Sequence, residues 1–576
     1  MTSRVSLLLK SPRVLWALAV CLMALTPVLG VFTRTKMFYV RDLSFFFWSR
    51  HLWLRHTLLS GTAPWWDPYP AGGQSAIADA LNQTLMPIAV AIRLLPSDLI
   101  SFNLWVALPL PLAALGTFLF LEACGKRSSS GALGAAAFAL SGVTVSMLNT
   151  PNLAWSIAAL PWVMWTTERL RRRRSAGRGA ALAVAFALQA LSGEPVTGAA
   201  TAVVALGYAA AGPLEGSGAG AGSRRSRVSD VAWTGVSISL GGLLAAAQLV
   251  PTFLAGIHAH RGALPTPDFW SLHPLMTFEL VAPHLFGNYY DAFLADIPWM
   301  TVLNSGRDPF FYSLYVGPLV LLLGAAALAA RPGRSTFWAA TALVFMVAAM
   351  GGYTPFYPFL RNVVPALAYF RFPVKYLAIT VFACAVLAAE GWDALRDAPS
   401  PRLVLVARAA GILAVVVAIL VLASAAFHQW SWTRAYSLAG WLKITHPNTA
   451  ADLLLRLGPP LFGRAAGLLL AGAALLAVAS TPGARATPAA YLLFIAAALD
   501  LGITNATLNL TTDVSKLVPP AWYTRLSSTD RLYIGGRVRG FMNTADRDAA
   551  QSWKIPAEST AIEGRMELNA ELPMAP

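Results

Sequence analysis

The chain has 576 residues, 56% of them hydrophobic and 12% charged, where soluble domains carry roughly 25% charged residues. Its apolar runs extend to about 20 residues, which excludes an ordinary soluble domain and the alternating strands of a membrane barrel. An all-α polytopic membrane protein is the expected fold class. The net charge of +16 comes from arginines clustered in short loops between apolar runs, the positive-inside pattern. The lipid bilayer is therefore an expected partner and nucleic acid is not. Cys21, Cys124 and Cys384 sit inside apolar runs without metal-ligand spacing and read as packing residues.

The first apolar segment, 14–31, follows Lys10 and Arg13. No A-x-A cleavage pattern follows it, so a retained helix with a cytoplasmic N-terminus is expected rather than a signal peptide. A loop then runs to about residue 98. Within it LMPIAVAIRLL (85–95) is too short to span and reads as interfacial or re-entrant. Further spans fit near 99–122, 131–148, 152–169, 179–193, 196–212, 231–254, 312–330, 335–350, 373–391, 403–425, 461–480 and 489–506, about thirteen in all. With that count Lys126 and Arg127, Arg169, Arg171 to Arg174, Arg224, Arg225 and Arg227, Arg331 and Arg334, Arg396 and Arg402, and Arg485 fall on one side. The asymmetry predicts N-inside, C-outside topology. PLEGSGAGAGSRRSR (213–227) reads as a flexible cytoplasmic linker. Residues 1–506 form the expected membrane domain, and 507–576 an extracytoplasmic tail with room for a few short strands.

The long loops, 32–98, 255–311, 351–372 and 426–460, are then all external. There is no P-loop and no strand-framed G-x-G-x-x-G. An enzyme built this way would take its activated donor from a membrane lipid, not a nucleotide. Asp42 is the best candidate base, about ten residues past the first span, beside Arg41 and before the aromatic run Phe45 to Trp48. Desolvation there raises a carboxyl pKa and Arg41 lowers it. The alternative is an Arg–Asp pair capping an interfacial helix, helped by Ser44. The motif PWWDPYPAGGQ (64–74) holds Asp67, with Trp65, Trp66 and Tyr69 suited to stacking on a sugar or to an aromatic belt, and ends on Gln74.

Glu194, in LSGEPVTG, interrupts an apolar stretch at an external hairpin and turns either into a cavity or to water. The loop 271–291 carries His273, Glu279, His284 and Asp291 without H-E-x-x-H or comparable metal spacing. In YFRFPVKY (369–376), Arg371 and Lys375 stand four apart at the outer start of a predicted helix. There they either clamp a lipid phosphate or snorkel to the interface. The lone D-x-D, Asp546 to Asp548, is too weak a signal by itself.

RDLSFFF (41–47), GTAPWWDPYPAGGQ (61–74), AFALSG (137–142), LPWVMW (160–165), SGEP (192–195), LVPTFLAG (249–256), SLHPLMTFELVAPHLFGN (271–288) and FRFPVKYLAITVFACAVLAAEGWDAL (370–395) follow one another in order. This series resembles the YfhO-like bacterial membrane proteins of the GT-C glycosyltransferase superfamily, over nearly the whole membrane part. The resemblance implies a GT-C-like bundle with an outward-facing site, a polyprenyl-phosphate sugar as donor, and an envelope glycan, lipid or protein as acceptor. It matches Asp42 to the catalytic acid of the first external loop. SGEP departs from the family pattern, which would place a histidine-containing variant there.

The expected reaction is an inverting-type transfer in the bacterial cytoplasmic membrane, with Asp42 as base. Arg371 and Lys375 would stabilise the departing phosphate. Asp67 would orient the sugar or help hold a divalent cation, with Arg41, Trp66, Tyr69, Gln74, Glu194 and His273 lining the site. Two rivals are a transporter or lipid flippase, which predicts inverted repeats and ionisable residues at mid-membrane such as Asp500, and a catalytically silent partner in polysaccharide assembly.

Overall fold

The structure, a computed structural model, describes residues 11–68, 73–213, 224–258, 268–288, 298–304, 309–364, 367, 371–397 and 400–517, and three strands beyond them. Proline opens one helix after another: Pro12, Pro87, Pro109, Pro151, Pro195, Pro318, Pro332, Pro401 and Pro447 each stand in a first turn. The missing N–H is harmless there and the fixed φ is already helical.

Among the described residues six helical segments are long and apolar enough to cross a membrane: Pro12–Thr33, Asp98–Ala123, Pro373–Asp397, Pro401–Ala426, Pro447–Ala479 and Ala486–Asn505. Two bent pairs raise the number to eight, Ser128–Ala139 with Gly142–Asn149 at 48° and Ser226–Leu244 with Ala246–Ile257 at 73°. The protein is a multi-pass helical membrane protein. The thirteen straight spans expected from hydropathy are not all present as such. Ala176–Ala190, Pro195–Ala211 and Pro318–Ala330 are helical but short, and Pro151–Arg172 ends in a charged turn with Glu168, Arg169, Arg171 and Arg172. The first bend has a local cause. Gly142 N–H donates to Tyr315 O at 2.7 Å, and a Cβ on Gly142 would meet the Tyr315 nitrogen at 2.7 Å. The segment 85–95 forms a short helix, Pro87–Arg93, inside the folded first loop.

Pro373–Asp397 is the central element, with 89% of its apolar window buried against 17% for Pro401–Ala426 and 28% for Pro447–Ala479. It packs on Pro318–Ala330, Ser128–Ala139 and Pro332–Ala349. The peripheral helices present Leu405, Ile412, Ile419 and Leu422 outward, the surface a bilayer covers.

Two ends can be distinguished. Lys36–Phe38, just past the first span, pairs antiparallel with Thr511–Asp513, just past the last, with Lys36 opposite Asp513. Both chain segments therefore leave the bundle at the same end. At the opposite end Arg13 Nε donates to Glu122 at 2.6 Å, close to the Lys126–Arg127 turn. Beyond residue 517 the strands Arg531–Ile534, Arg565–Glu571 and Ala557–Ile562 form one antiparallel sheet in that spatial order.

Candidate active site

The first loop is a packed unit at the end of the bundle where Lys36–Phe38 meets Thr511–Asp513. Helix Trp48–Leu59 lies on Asp98–Ala107, and His51 Nε2 and Ser101 Oγ share a 2.8 Å hydrogen bond. Arg55 pairs with Asp98 at 2.9 Å, and Arg50 with Asp79. Arg93 is 1% exposed and donates to the carbonyls of Asn82 at 2.8 Å and Gln83 at 3.2 Å. This scaffold fixes the entry turn that holds Asp42.

Arg41 has φ = 54°, left-handed backbone that a non-glycine residue adopts at a cost of about 1–3 kcal/mol. Leu43–Phe47 then forms a π-turn, a rare feature that is enriched at functional sites. Asp42 stands between the two. It occupies the N-cap position but its side chain makes no cap hydrogen bond, so the capping alternative is not realised. Arg41 turns aside, donating from Nη1 to Pro309 O at 3.0 Å, with its guanidinium 5.4 Å from the Tyr312 ring centroid. Among the described residues no hydrogen bond or ion pair closes on the half-buried Asp42 carboxyl. Burial pushes its pKa up, and Arg41 opposes the shift without cancelling it.

Behind Arg41, residues Phe310, Phe311 and Leu314 line a narrow cleft with Trp270, Ser271, Leu272, Met276, Asn304 and Val374. Trp270 and Phe372, both at positive φ (56° and 67°), stack edge to face at 4.7 Å, and Phe310 joins Phe372 at 5.6 Å. The cluster abuts Lys375, whose Nζ lies 5.0 Å from the Phe372 centroid and 5.8 Å from that of Phe310.

Lys375 donates to Glu194 Oε1 at 2.8 Å. Glu194 is 2% exposed and caps helix Pro195–Ala211, accepting from Thr197 N–H at 2.6 Å. Burial pushes the Glu194 carboxyl up, yet Lys375 and the Thr197 amide outweigh it and hold the pKa below the usual range. Glu194 is thus turned inward, a positioner of Lys375. Arg371 and Lys375 do not share a helix face as expected, because Phe372 is left-handed and helix begins only at the 3-10 turn Pro373–Tyr376.

His273 caps the turn Pro274–Leu280, accepting from Leu275 N–H at 3.2 Å, and packs on Tyr353. Burial lowers its pKa. Glu279 accepts from Phe286 N–H at 3.2 Å, and burial drives its carboxyl to about 8. In the WWD motif, Trp66–Asp67 pairs antiparallel with Gln74–Ser75. Asp67 is buried while Trp65 and Trp66 are exposed. Tyr69 and Asp291 lie outside the described residues, as do Asp546 and Asp548. Among the described residues no group of three His, Cys, Asp or Glu side chains forms a metal-holding cluster.

The structure thus links Arg41–Asp42, the Trp270–Phe310–Phe372 cleft and the Lys375–Glu194 pair through the 309–312 segment. Sequence reading missed that segment and the cleft. Its only trace in the chain is the aromatic doublet Phe310–Phe311 beside Pro309.

No protein-family model matches the chain, and no curated protein does. Solved structures do. An arabinofuranosyltransferase AftD from Mycobacteria aligns at TM-score 0.41 and 16% identity, over 80% of this chain and 27% of that one. ArnT from Cupriavidus metallidurans bound to undecaprenyl phosphate aligns at 0.34 and 16%, over 88% and 78%. The Archaeoglobus fulgidus oligosaccharyltransferase aligns at 0.38 and 14%, over 79% and 56%. The chain spans about a quarter of the arabinofuranosyltransferase it matches. At these scores the likeness is one of broad helical layout.

Proposed function

We propose that this chain is a membrane glycosyltransferase. It moves a sugar from a polyprenyl-phosphate-linked donor to an envelope glycan, lipid or protein acceptor, at the outer face of a bacterial cytoplasmic membrane. The observation that carries the reading is Asp42: a carboxyl without a hydrogen-bonding partner among the described residues, set between left-handed Arg41 and a π-turn. The ordered motifs that resemble those of the YfhO-like proteins support it. The arginine-rich end faces the cytoplasm in this reading, and the segments past the first and last spans face outward.

Asp42 accepts the proton of the acceptor hydroxyl as that oxygen attacks the anomeric carbon. The bond from that carbon to the phosphate oxygen breaks, and the polyprenyl phosphate leaves with the electron pair. Arg371 and Lys375 receive the phosphate charge. Lys375 keeps donors for this, because an ammonium carries three and Glu194 takes one. Asp67 orients the sugar or helps to hold a divalent cation. Asp500, the residue on which the transporter alternative turned, is paired with Tyr315 at 2.7 Å and Arg464 at 2.6 Å.

The test is direct. Purified protein in lipid nanodiscs is mixed with defined polyprenyl-phosphate sugars and an envelope extract, and released polyprenyl phosphate is followed. Release from at least one donor is expected. Silence with every donor contradicts the reading.

A further inference from the structure

We infer that Asn149, Asn152 and Asn509 read the hydroxyls of the donor sugar, and so select which sugar the chain takes. The identity of the ligand rests on the glycosyl-transfer reading; the gathering of the three amides rests on the geometry. Asn149 closes the 3-10 turn Met147–Asn149, Asn152 stands in the first turn of Pro151–Arg172, and Asn509 follows the helix Ala486–Asn505. All three are buried, at 3%, 5% and 8% exposed. Asn149 donates from Nδ2 to Ser146 O at 3.0 Å, and Asn509 to the neighbouring carbonyl, Val145 O, at 2.9 Å. Asn152 donates to Gly193 O at 3.4 Å. Each donation fixes which way the amide faces, because a flipped amide would set oxygen against oxygen. The three Oδ1 atoms are left without a hydrogen-bond partner.

Buried acceptors of this kind are destabilising until a donor reaches them, and three gathered around one short segment suit a ligand rich in hydroxyls. Their place says which ligand. On one side Ser146 Oγ accepts from Ser313 N–H at 3.0 Å, in the segment whose Pro309 carbonyl holds Arg41, next to Asp42. On the other side Gly193 precedes Glu194, the partner of Lys375 at 2.8 Å. Ser156 Oγ, one helical turn beyond Asn152, donates to Glu194 O at 3.5 Å. Along this chain of contacts the asparagines stand between the proposed base and the proposed phosphate partner. In the transfer reading the sugar occupies that interval. Its anomeric carbon is bonded to the phosphate oxygen and is attacked from the side of the base.

Ordered water is the competing occupant, since it also satisfies buried acceptors. The position of the set, between two groups that the transfer needs, favours the sugar. The oxygens are closed from bulk solvent, so a sugar reaches them as the limb Gly142–Asn149 shifts. That limb is bent 48° from Ser128–Ala139 and is not locked into one continuous helix with it.

The experiment uses the full chain in nanodiscs and short-chain probes: citronellyl phosphate carrying mannose, glucose, galactose or arabinofuranose, and citronellyl phosphate alone. Binding is read by microscale thermophoresis. At least one sugar-bearing probe is expected to bind about tenfold or more tighter than bare citronellyl phosphate. Deoxy forms of that probe should lose about tenfold where the missing hydroxyl met an asparagine, because the amide oxygen is left unpaired. Asn149→Ala, Asn152→Ala and Asn509→Ala should each weaken the sugar-bearing probe several-fold and abolish the penalty for one deoxy form, with binding of bare citronellyl phosphate held. The deoxy series on the parent chain decides the matter even where a variant fails to fold. Equal binding of sugar-bearing and bare probes, or of the whole deoxy series, overturns the assignment and gives the asparagines to ordered water. So do asparagine variants that bind every probe as the parent does. Loss of bare citronellyl phosphate in those variants also overturns it, as the mark of a structural role. Hydroxyl-dependent binding without release of phosphate would contradict the transfer reading alone.

Discussion

The two ends of the bundle treat their acids in opposite ways. At the arginine-rich end Glu390 pairs with Lys126 at 2.7 Å and with Arg331 at 3.4 Å. Asp393 and Asp397 are held by Arg127 at 3.8 and 2.9 Å, and also by Arg331. These contacts tie the turn after Asp98–Ala123 and the turn before Pro332–Ala349 to the end of the central helix. Each of these three acids has at least two partners. At the opposite end Asp42 has no hydrogen-bonding partner among the described residues, and Arg41 just before it takes a left-handed backbone. Charge that closes on itself holds helices together. A carboxyl kept apart at a cost in stability is what a base requires.

The sharpest way to break this contrast is Glu390→Ala. It leaves Lys126, whose side chain is 1% exposed, buried beside an empty acceptor site, a change worth about 3–5 kcal/mol. Thermal unfolding in detergent should show a large loss, whereas a silent Glu390→Ala would mean the network is not structural. Glu194→Gln should come next, at about 1–3 kcal/mol, because the amide still caps the helix but no longer pairs with Lys375. The sign with pH follows from a folded pKa held below the usual range. The stabilisation is present above the unfolded value of about 4.3 and is lost as pH falls through the lower folded value. The gap between parent and Glu194→Gln should therefore close in acid. His273→Ala should be smallest, about 1 kcal/mol for a lost cap, with turnover nearly kept. A collapse of turnover there would move His273 from cap to substrate contact.

Hydropathy and charge made much of the bundle legible. The runs that became Pro12–Thr33, Asp98–Ala123 and Pro401–Ala426 carry their own signal, and Lys126, Arg127, Arg331 and Arg396 gather at one end as the asymmetry predicts. Asp42 was picked out by its place after the first span. What stayed hidden depends on contacts distant in sequence or on single backbone angles. Lys375 meets Glu194 across 181 residues, and Lys36–Phe38 meets Thr511–Asp513 across most of the chain; no periodicity encodes either. The expected shared face of Arg371 and Lys375 fails at one dihedral, that of Phe372. Six to eight of the thirteen expected spans are long and apolar enough to cross by themselves among the described residues, and the others are bent or short helices, since a hydropathy window does not see direction.

The central claim is that Asp42 is held partnerless in order to accept a proton. The measurement is turnover of a lipid-linked sugar by parent and Asp42→Asn, with unfolding followed on the same samples. Asn keeps the shape and removes the base, so turnover should fall by about 100-fold or more. Stability should hold or rise slightly, because a carboxyl whose folded pKa is raised makes the folded state less stable as pH climbs past its unfolded value of about 3.9. In the parent, turnover should fall on acidification at a pH above the ordinary carboxylate range, as Asp42 takes up its proton. Full turnover in Asp42→Asn, or a loss of turnover accompanied by a loss of fold, would contradict the account.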